Sequence, residues 1–127
     1  MPHFIIECSM EVLKQKDAGE IMEAVYDTAY ASGLFAKNDI KVRICPFTHY
    51  KLAEGKSDFL HVFGYIMEGR TPEQKQDLST AIIKKLNELL PAISILSMNI
   101  SEFEKESYCN KSLIHPYNTS NDRHFLL

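Results

Sequence analysis

Residues 59–67, FLHVFGYIM, restrict the fold of this chain more than any other segment. In an extended chain alternate side chains point to opposite sides of a sheet, and both sides of this segment are apolar. A strand that is apolar on both faces is buried on both faces. We therefore expect the chain's own helices to cover one side and something else to cover the second. One face carries Phe59, Phe63, Tyr65 and Met67, and the other carries Leu60, Val62 and Ile66.

The whole chain reads as two strand–helix–strand units, which predicts a single α/β domain over residues 1–127. Right-handed crossovers place both helices on one face of a four-stranded sheet. The opposite, apolar face is then left uncovered, and we expect self-association to bury it. The predicted strands are 3–8, 40–45, 59–67 and about 93–101, and the predicted helices are about 18–32 and 71–90.

Local signals set the predicted boundaries of both helices. Asp17 can cap the first helix, with Glu20 three residues later. Thr71 and Gln74 form a capping-box pattern around the second helix, with Pro72 in its first turn.

The composition is that of an ordinary globular domain, and it excludes several classes of protein. The 127 residues are 45% apolar, and a formal net charge of -3 gives no basis for binding nucleic acid or an anionic membrane. No apolar run approaches the roughly 20 residues that span a bilayer, and nothing resembles a signal peptide. We therefore expect a cytoplasmic protein. Cys8, Cys45 and Cys109 are odd in number and widely spaced, which favours reduced thiols over a disulfide framework or a zinc site.

Pro2 is a candidate catalytic residue, because removal of Met1 would leave a secondary amine at the start of a predicted strand. An unperturbed α-amino group has a pKa of about 7.7–8.0, and burial or a neighbouring cation lowers it. Such an amine suits general acid/base chemistry near neutral pH. The alternative is that Pro2 serves only to permit removal of Met1.

Three cations are candidate anion-binding residues. Lys41 and Arg43 lie two apart on a predicted strand that we expect Pro46 to end, so they share a face and can clamp a carboxylate. Arg70 precedes a helix start, whose free N–H groups favour anions. The alternatives are a solvated strand face with surface ion pairs and an exposed loop arginine. None of the five histidines has metal-ligand spacing, and His61 is interpreted as a satisfied core histidine.

Several segments carry a family resemblance. The opening PHFIIECS, the strand IKVRI and the stretch HVFGYIMEGRTPEQK resemble the 5-carboxymethyl-2-hydroxymuconate delta-isomerase family of the tautomerase superfamily. The resemblance covers nearly the whole chain and extends through residues 113–116, and the opening segment is its most specific part.

The resemblance implies a homotrimer with inward-facing sheets and active sites between subunits. It implies an isomerase that moves a double bond in an unsaturated di- or tricarboxylate from aromatic catabolism, with Pro2 as general acid/base and no metal or organic cofactor. Arg43 and Arg70, with Lys41 in support, would bind the small-molecule carboxylate substrate. Lys41 stands where the family has arginine, and lysine lacks the planar fork of a bidentate contact. The competing hypothesis is a non-catalytic trimeric module of the same fold that binds small anions or acts as a scaffold.

Overall fold

Residues 1–114 are described by the computed structural model, and they contain one mixed four-stranded sheet and three α-helices. The final part of the predicted domain, residues 115–127, and half of the resemblance at 113–116 lie outside the described residues. Short 3-10 turns occupy Lys37–Asp39 and Lys111–Ile114. The elements are β1 (His3–Ser9), α1 (Val12–Gln15), α2 (Ala18–Ala31), β2 (Lys41–Phe47), β3 (Phe59–Met67), α3 (Pro72–Leu89) and β4 (Ile95–Phe103).

The sheet order is β2-β1-β3-β4, and it confirms the predicted α/β architecture. Within each unit the two strands are parallel, β1 with β2 and β3 with β4. The units meet through an antiparallel pairing of β1 with β3, in which His3 lies opposite Tyr65 and Glu7 opposite His61. The amino end of β1 therefore lies next to the carboxyl end of β3.

The core lies between the sheet and helices α2 and α3, which both cover the same face. Burial of each large apolar side chain of this core contributes roughly 1.5–3 kcal/mol, compared with about 1 kcal/mol for a typical helix cap. The sheet side of the core consists of Phe4, Ile6, Cys8, Leu60, Val62 and Ile66. The helix side of the core includes Ile21, Val25, Leu78, Ile82 and Leu86.

The two predicted helix starts have different outcomes. The capping box at α3 is confirmed: Thr71 Oγ1 accepts from the Gln74 N–H at 3.1 Å, and Gln74 Oε1 accepts from the Thr71 N–H at 2.9 Å. The predicted side-chain cap at α2 is wrong, because Asp17 has the extended N-cap backbone but makes no capping hydrogen bond. The first backbone bond of this helix runs from the N–H of the buried Ile21 to Asp17 O at 3.1 Å.

Two predicted strand boundaries are also wrong. Strand β2 continues through Pro46 to Phe47. Since β2 is an edge strand, the missing N–H of a proline need not interrupt the ladder. Strand β4 begins at Ile95, about two residues later than predicted, because a turn follows α3. In that turn the Ile93 N–H donates to Leu90 O at 3.2 Å.

Helices α2 and α3 both pack on the core side, so neither of them covers the second face of the sheet, which we call the open face. It is only partly apolar: Ile5, Phe63 and Tyr65 are half-buried there, beside polar residues. His61 belongs to this open face rather than to the core, so its interpretation as a core histidine is wrong. Its ring nitrogens lie 2.6 Å from Ser97 Oγ and 2.7 Å from Asn99 Oδ1, so the ring is fully hydrogen-bonded.

The three α-helices are each too short or too polar to span a bilayer across the part of the chain that is described.

Asp58 is a buried carboxylate, 4% exposed, that joins three segments just before β3. Its Oδ1 accepts from the Ser94 N–H at 2.7 Å, and its Oδ2 accepts from Gln15 Nε2 at 2.8 Å. Burial by itself raises the pKa of Asp58, but the hydrogen bonds from Ser94 and Gln15 outweigh it and lower the pKa overall.

Replacing Asp58 with alanine is expected to lower the free energy of unfolding by about 1–3 kcal/mol at pH 7, because the part-buried Ser94 N–H loses its acceptor. The folded pKa of Asp58 is below the unfolded value of about 3.9, so its contribution is full above that pH and is lost as the pH falls through the folded value. Urea denaturation at pH 7 and pH 3 should show a smaller effect at pH 3. Glu54→Ala, an exposed carboxylate in the same loop, is the control. An equal or larger effect at pH 3 would contradict this role of Asp58.

Candidate functional site

The amino terminus lies where the internal strand β1 begins, beside the first residue of the edge strand β2. Pro2 is buried, and its carbonyl oxygen accepts from the Lys41 N–H at 3.1 Å. The amino group of Met1 lies 3.6 Å from a carboxylate oxygen of Asp39, in the 3-10 turn before β2. We call Met1, Pro2, Asp39, Lys41 and Arg70 the amino-terminal cluster.

Lys41 reaches the cluster from the first position of β2. Its Nζ donates to the backbone oxygen of Asp39 at 2.6 Å, so one turn holds both this cation and the carboxylate that pairs with the amino terminus. Lys41 is also the cross-strand neighbour of His3. Val42 and Ile44 pack against the core, so Lys41 lies on the opposite face of β2, as the alternation predicts.

Arg70 reaches the cluster from the turn between β3 and α3. Gly69 has a φ of +120°, a conformation that side chains rarely adopt, and this turn directs Arg70 back toward the sheet. The guanidinium carbon lies 5.1 Å from the centre of the Phe35 ring, and Nη2 donates to Leu34 O. Nη1 is buried without a hydrogen-bond partner among the described residues. Burial lowers the pKa of Arg70, although arginine stays charged at any physiological pH.

Arg43 lies farther along the open face and contacts a different neighbour. Its Nη1 lies 3.1 Å from His3 Nδ1, so this histidine nitrogen accepts and the ring proton is on Nε2. Burial lowers the pKa of His3, and the charges of Arg43 and Lys41 lower it further. The structure thus brings Lys41 and Arg70 to the amino terminus, whereas Arg43 is paired with the residue that follows Pro2.

The charges of the cluster act on the amino group in opposite directions. The pKa of the Met1 amine is below its usual value, first because of burial. Asp39 raises this pKa, while Lys41 and Arg70 lower it. The net result favours the neutral amine, the form that accepts a proton.

Three residues at the site had no role in the sequence analysis. Asp39 pairs with the amino terminus, Phe35 supports Arg70, and the Tyr108 hydroxyl donates to Met1 Sδ. Asp39 lies only two residues before Lys41, so its closeness to that candidate residue could have been read from the sequence. Phe35 is 35 residues from Arg70, and Tyr108 is 107 residues from Met1, so only the fold brings each of them to its partner.

A groove of about 590 Å³ lies beside this cluster, between α2 and the edge of β2. It shares only Lys41 with the cluster, and Met22, Tyr26, Ile40 and Val42 are among its other lining residues. Across residues 1–114 no group of three or more His, Cys, Asp or Glu side chains is arranged to hold a metal ion.

Known proteins of similar sequence and structure point to one family. Residues 2–117 match the family model of 5-carboxymethyl-2-hydroxymuconate isomerase. A 5-carboxymethyl-2-hydroxymuconate Delta-isomerase of Escherichia coli is 27% identical over 108 residues, 84% of this chain and 86% of that protein. The crystal structure of a 5-carboxymethyl-2-hydroxymuconate isomerase from Deinococcus radiodurans R1 is 23% identical, with a TM-score of 0.76 over 87% of this chain and 88% of that one. A structure described as a fused 4-OT wild type symmetric trimer has the same fold at 14% identity, with a TM-score of 0.68 over 81% of this chain and 86% of that one. The extent of the family match decides the assignment: this chain belongs to the 5-carboxymethyl-2-hydroxymuconate isomerase family.

Proposed function

We propose that this protein is a cofactor-independent isomerase that moves a double bond in an unsaturated 2-hydroxy or 2-oxo di- or tricarboxylate of aromatic catabolism. The observation that carries the proposal is the amino-terminal cluster: Pro2 is buried directly before β1, and Lys41 and Arg70 are close enough to lower the pKa of the adjoining Met1 amine. Membership of an isomerase family supports the reaction class.

The chemistry requires removal of Met1, because the Pro2 nitrogen is otherwise a tertiary amide without basicity. The free amine of Pro2 then takes the proton of the 2-hydroxyl group of a dienol. The O–H electron pair forms the 2-oxo group, the double bonds shift along the chain, and the terminal double bond takes the proton back from the ammonium group. The substrate is isomerised without any gain or loss of atoms, and the buried position of Pro2 beside two cations favours the neutral form of its amine, which accepts the proton.

The cations hold the substrate and stabilise the charge that develops on it. The buried, unpartnered Nη1 of Arg70 is a donor for a carboxylate or enolate oxygen in a site partly shielded from water. Lys41 supplies a second positive charge near the amine. Arg43 binds a more distant carboxylate from its place beside His3.

A homotrimer is the proposed assembly, with the open sheet faces turned inward. The half-buried Ile5, Phe63 and Tyr65 on this face would gain from burial against a second copy. The similar fold that is described as a symmetric trimer supports this arrangement. We propose the cytoplasm as the compartment, in keeping with three free thiols.

Two measurements on untagged protein test the proposed function together. Mass spectrometry should give the mass of the chain without Met1. Ketonisation of 2-hydroxymuconate, monitored by ultraviolet absorbance, should be at least about 10⁶-fold faster than the uncatalysed reaction, which is the low end of enzymatic acceleration. Retained Met1 together with the uncatalysed rate would contradict the isomerase. That result would favour the competing hypothesis of a non-catalytic trimeric module that binds small anions or acts as a scaffold.

A further inference from the structure

The side chain of Met1 fills a defined space within the amino-terminal cluster. It is 15% exposed, although it belongs to the first residue of the chain. Its two polar ends have separate partners: the amino group faces Asp39, and the sulfur accepts from the Tyr108 hydroxyl. Met1 therefore spans the distance between an acidic group at one end and a hydroxyl donor at the other.

The Tyr108 ring is held by neighbours other than Met1. It stacks on Phe103, the last residue of β4, with ring centres 6.1 Å apart and planes 29° apart. Phe103 in turn stacks on Tyr65 at 5.9 Å. The Tyr108 N–H also donates to Glu104 O at 3.2 Å. Loss of Met1 therefore leaves the ring anchored and the hydroxyl directed at the space that the methionine side chain filled.

The space released by Met1 is linear, since methionine is an unbranched chain that ends in a weakly accepting thioether. A carboxylate oxygen is a much stronger acceptor for a phenol hydroxyl than a thioether sulfur is. Asp39 disfavours a carboxylate at the amine end of this space, which leaves the Tyr108 end for a negatively charged group. Lys41 and Arg70 give the surrounding cluster an excess of positive charge.

We propose that Tyr108 is a specificity-determining residue, whose hydroxyl donates to the second carboxylate of a linear substrate lying in the space that Met1 leaves. This inference rests on the proposed function, because it assigns the shape and charge of the substrate to the same site. The Tyr108 hydroxyl would therefore favour an unbranched substrate that ends in a second carboxylate over one that ends in an uncharged group.

Two unreactive six-carbon dienes test this selection by calorimetry on protein shown by mass spectrometry to lack Met1. trans,trans-Muconate carries a carboxylate at each end, whereas sorbate carries only one. Tyr108→Phe is expected to weaken muconate binding about tenfold and to leave sorbate binding within about twofold, since only muconate loses a charged hydrogen bond. Tyr50→Phe, which removes a hydroxyl bonded to Ser57 O near the other end of the sheet, should change neither.

Unchanged muconate binding in Tyr108→Phe, or an equal loss for both ligands, would overturn the proposal, and so would retention of Met1 in the purified protein. Because muconate and sorbate need no turnover, the test is separate from the isomerase itself. Selective loss of muconate binding without any ketonisation of 2-hydroxymuconate would keep the role of Tyr108 and refute the proposed reaction.

Discussion

Replacing Pro2 with alanine is expected to lower kcat for ketonisation of 2-hydroxymuconate about 100-fold, the lower range for losing a well-placed general base. Alanine also permits removal of Met1 and leaves a primary amine at the same place in the chain, so some activity should remain. What is lost is the rigid ring that fixes the direction of the nitrogen at the start of β1. The carbonyl of residue 2 can still accept from the Lys41 N–H, so the sheet edge should be intact.

Two controls make the Pro2→Ala result interpretable. Mass spectrometry must show that the variant has lost Met1, since a retained methionine would abolish the free amine for an unrelated reason. Urea denaturation should give a midpoint close to that of the wild type. Equal kcat values in the two proteins, both without Met1, would contradict the expected contribution of the proline ring to placing the catalytic nitrogen.

The sequence was sufficient to predict the arrangement of strands and helices because the apolar periodicity was strong. Segment 59–67 gave the bounds of β3, and Thr71 gave the start of α3. The predicted end of β2 failed because it depends on the neighbouring strands. Pro46 interrupts a ladder only if its missing N–H would face a paired strand, and which side of a strand is paired is a property of the whole sheet.

The candidate site was predicted less completely than the fold, and the reason is again physical. Alternation along one strand was enough to pair Lys41 with Arg43, but it could not separate their contacts: one joins Asp39 and the other His3. Phe35 and Tyr108 reach the cluster through tertiary packing between segments distant in sequence. No local pattern in a single sequence encodes such contacts.

Replacing Arg70 with alanine is expected to lower kcat/KM for 2-hydroxymuconate about 100- to 1,000-fold, the usual cost of removing a preorganised donor to developing negative charge. The guanidinium is positioned before any substrate arrives, by the Phe35 ring beneath it and by Leu34 O. Its Nη1 has no hydrogen-bond partner in the described chain, so a substrate oxygen would supply one. Arg70→Lys keeps the charge but not the fork, and it should recover only part of the lost activity.

The Arg70→Ala variant also loses the hydrogen bond to Leu34 O, so its free energy of unfolding should fall by about 1 kcal/mol. Urea denaturation must therefore show that this variant is folded under the assay conditions. Lys75→Ala is the matched control: it removes a cation on α3 whose Nζ pairs with Glu102 at 3.4 Å, outside the amino-terminal cluster. The control should keep kcat/KM within about twofold, as surface ion pairs contribute little. If Arg70→Ala and Lys75→Ala reduced activity equally, long-range charge would explain both, and the buried guanidinium would have no direct part in holding the substrate.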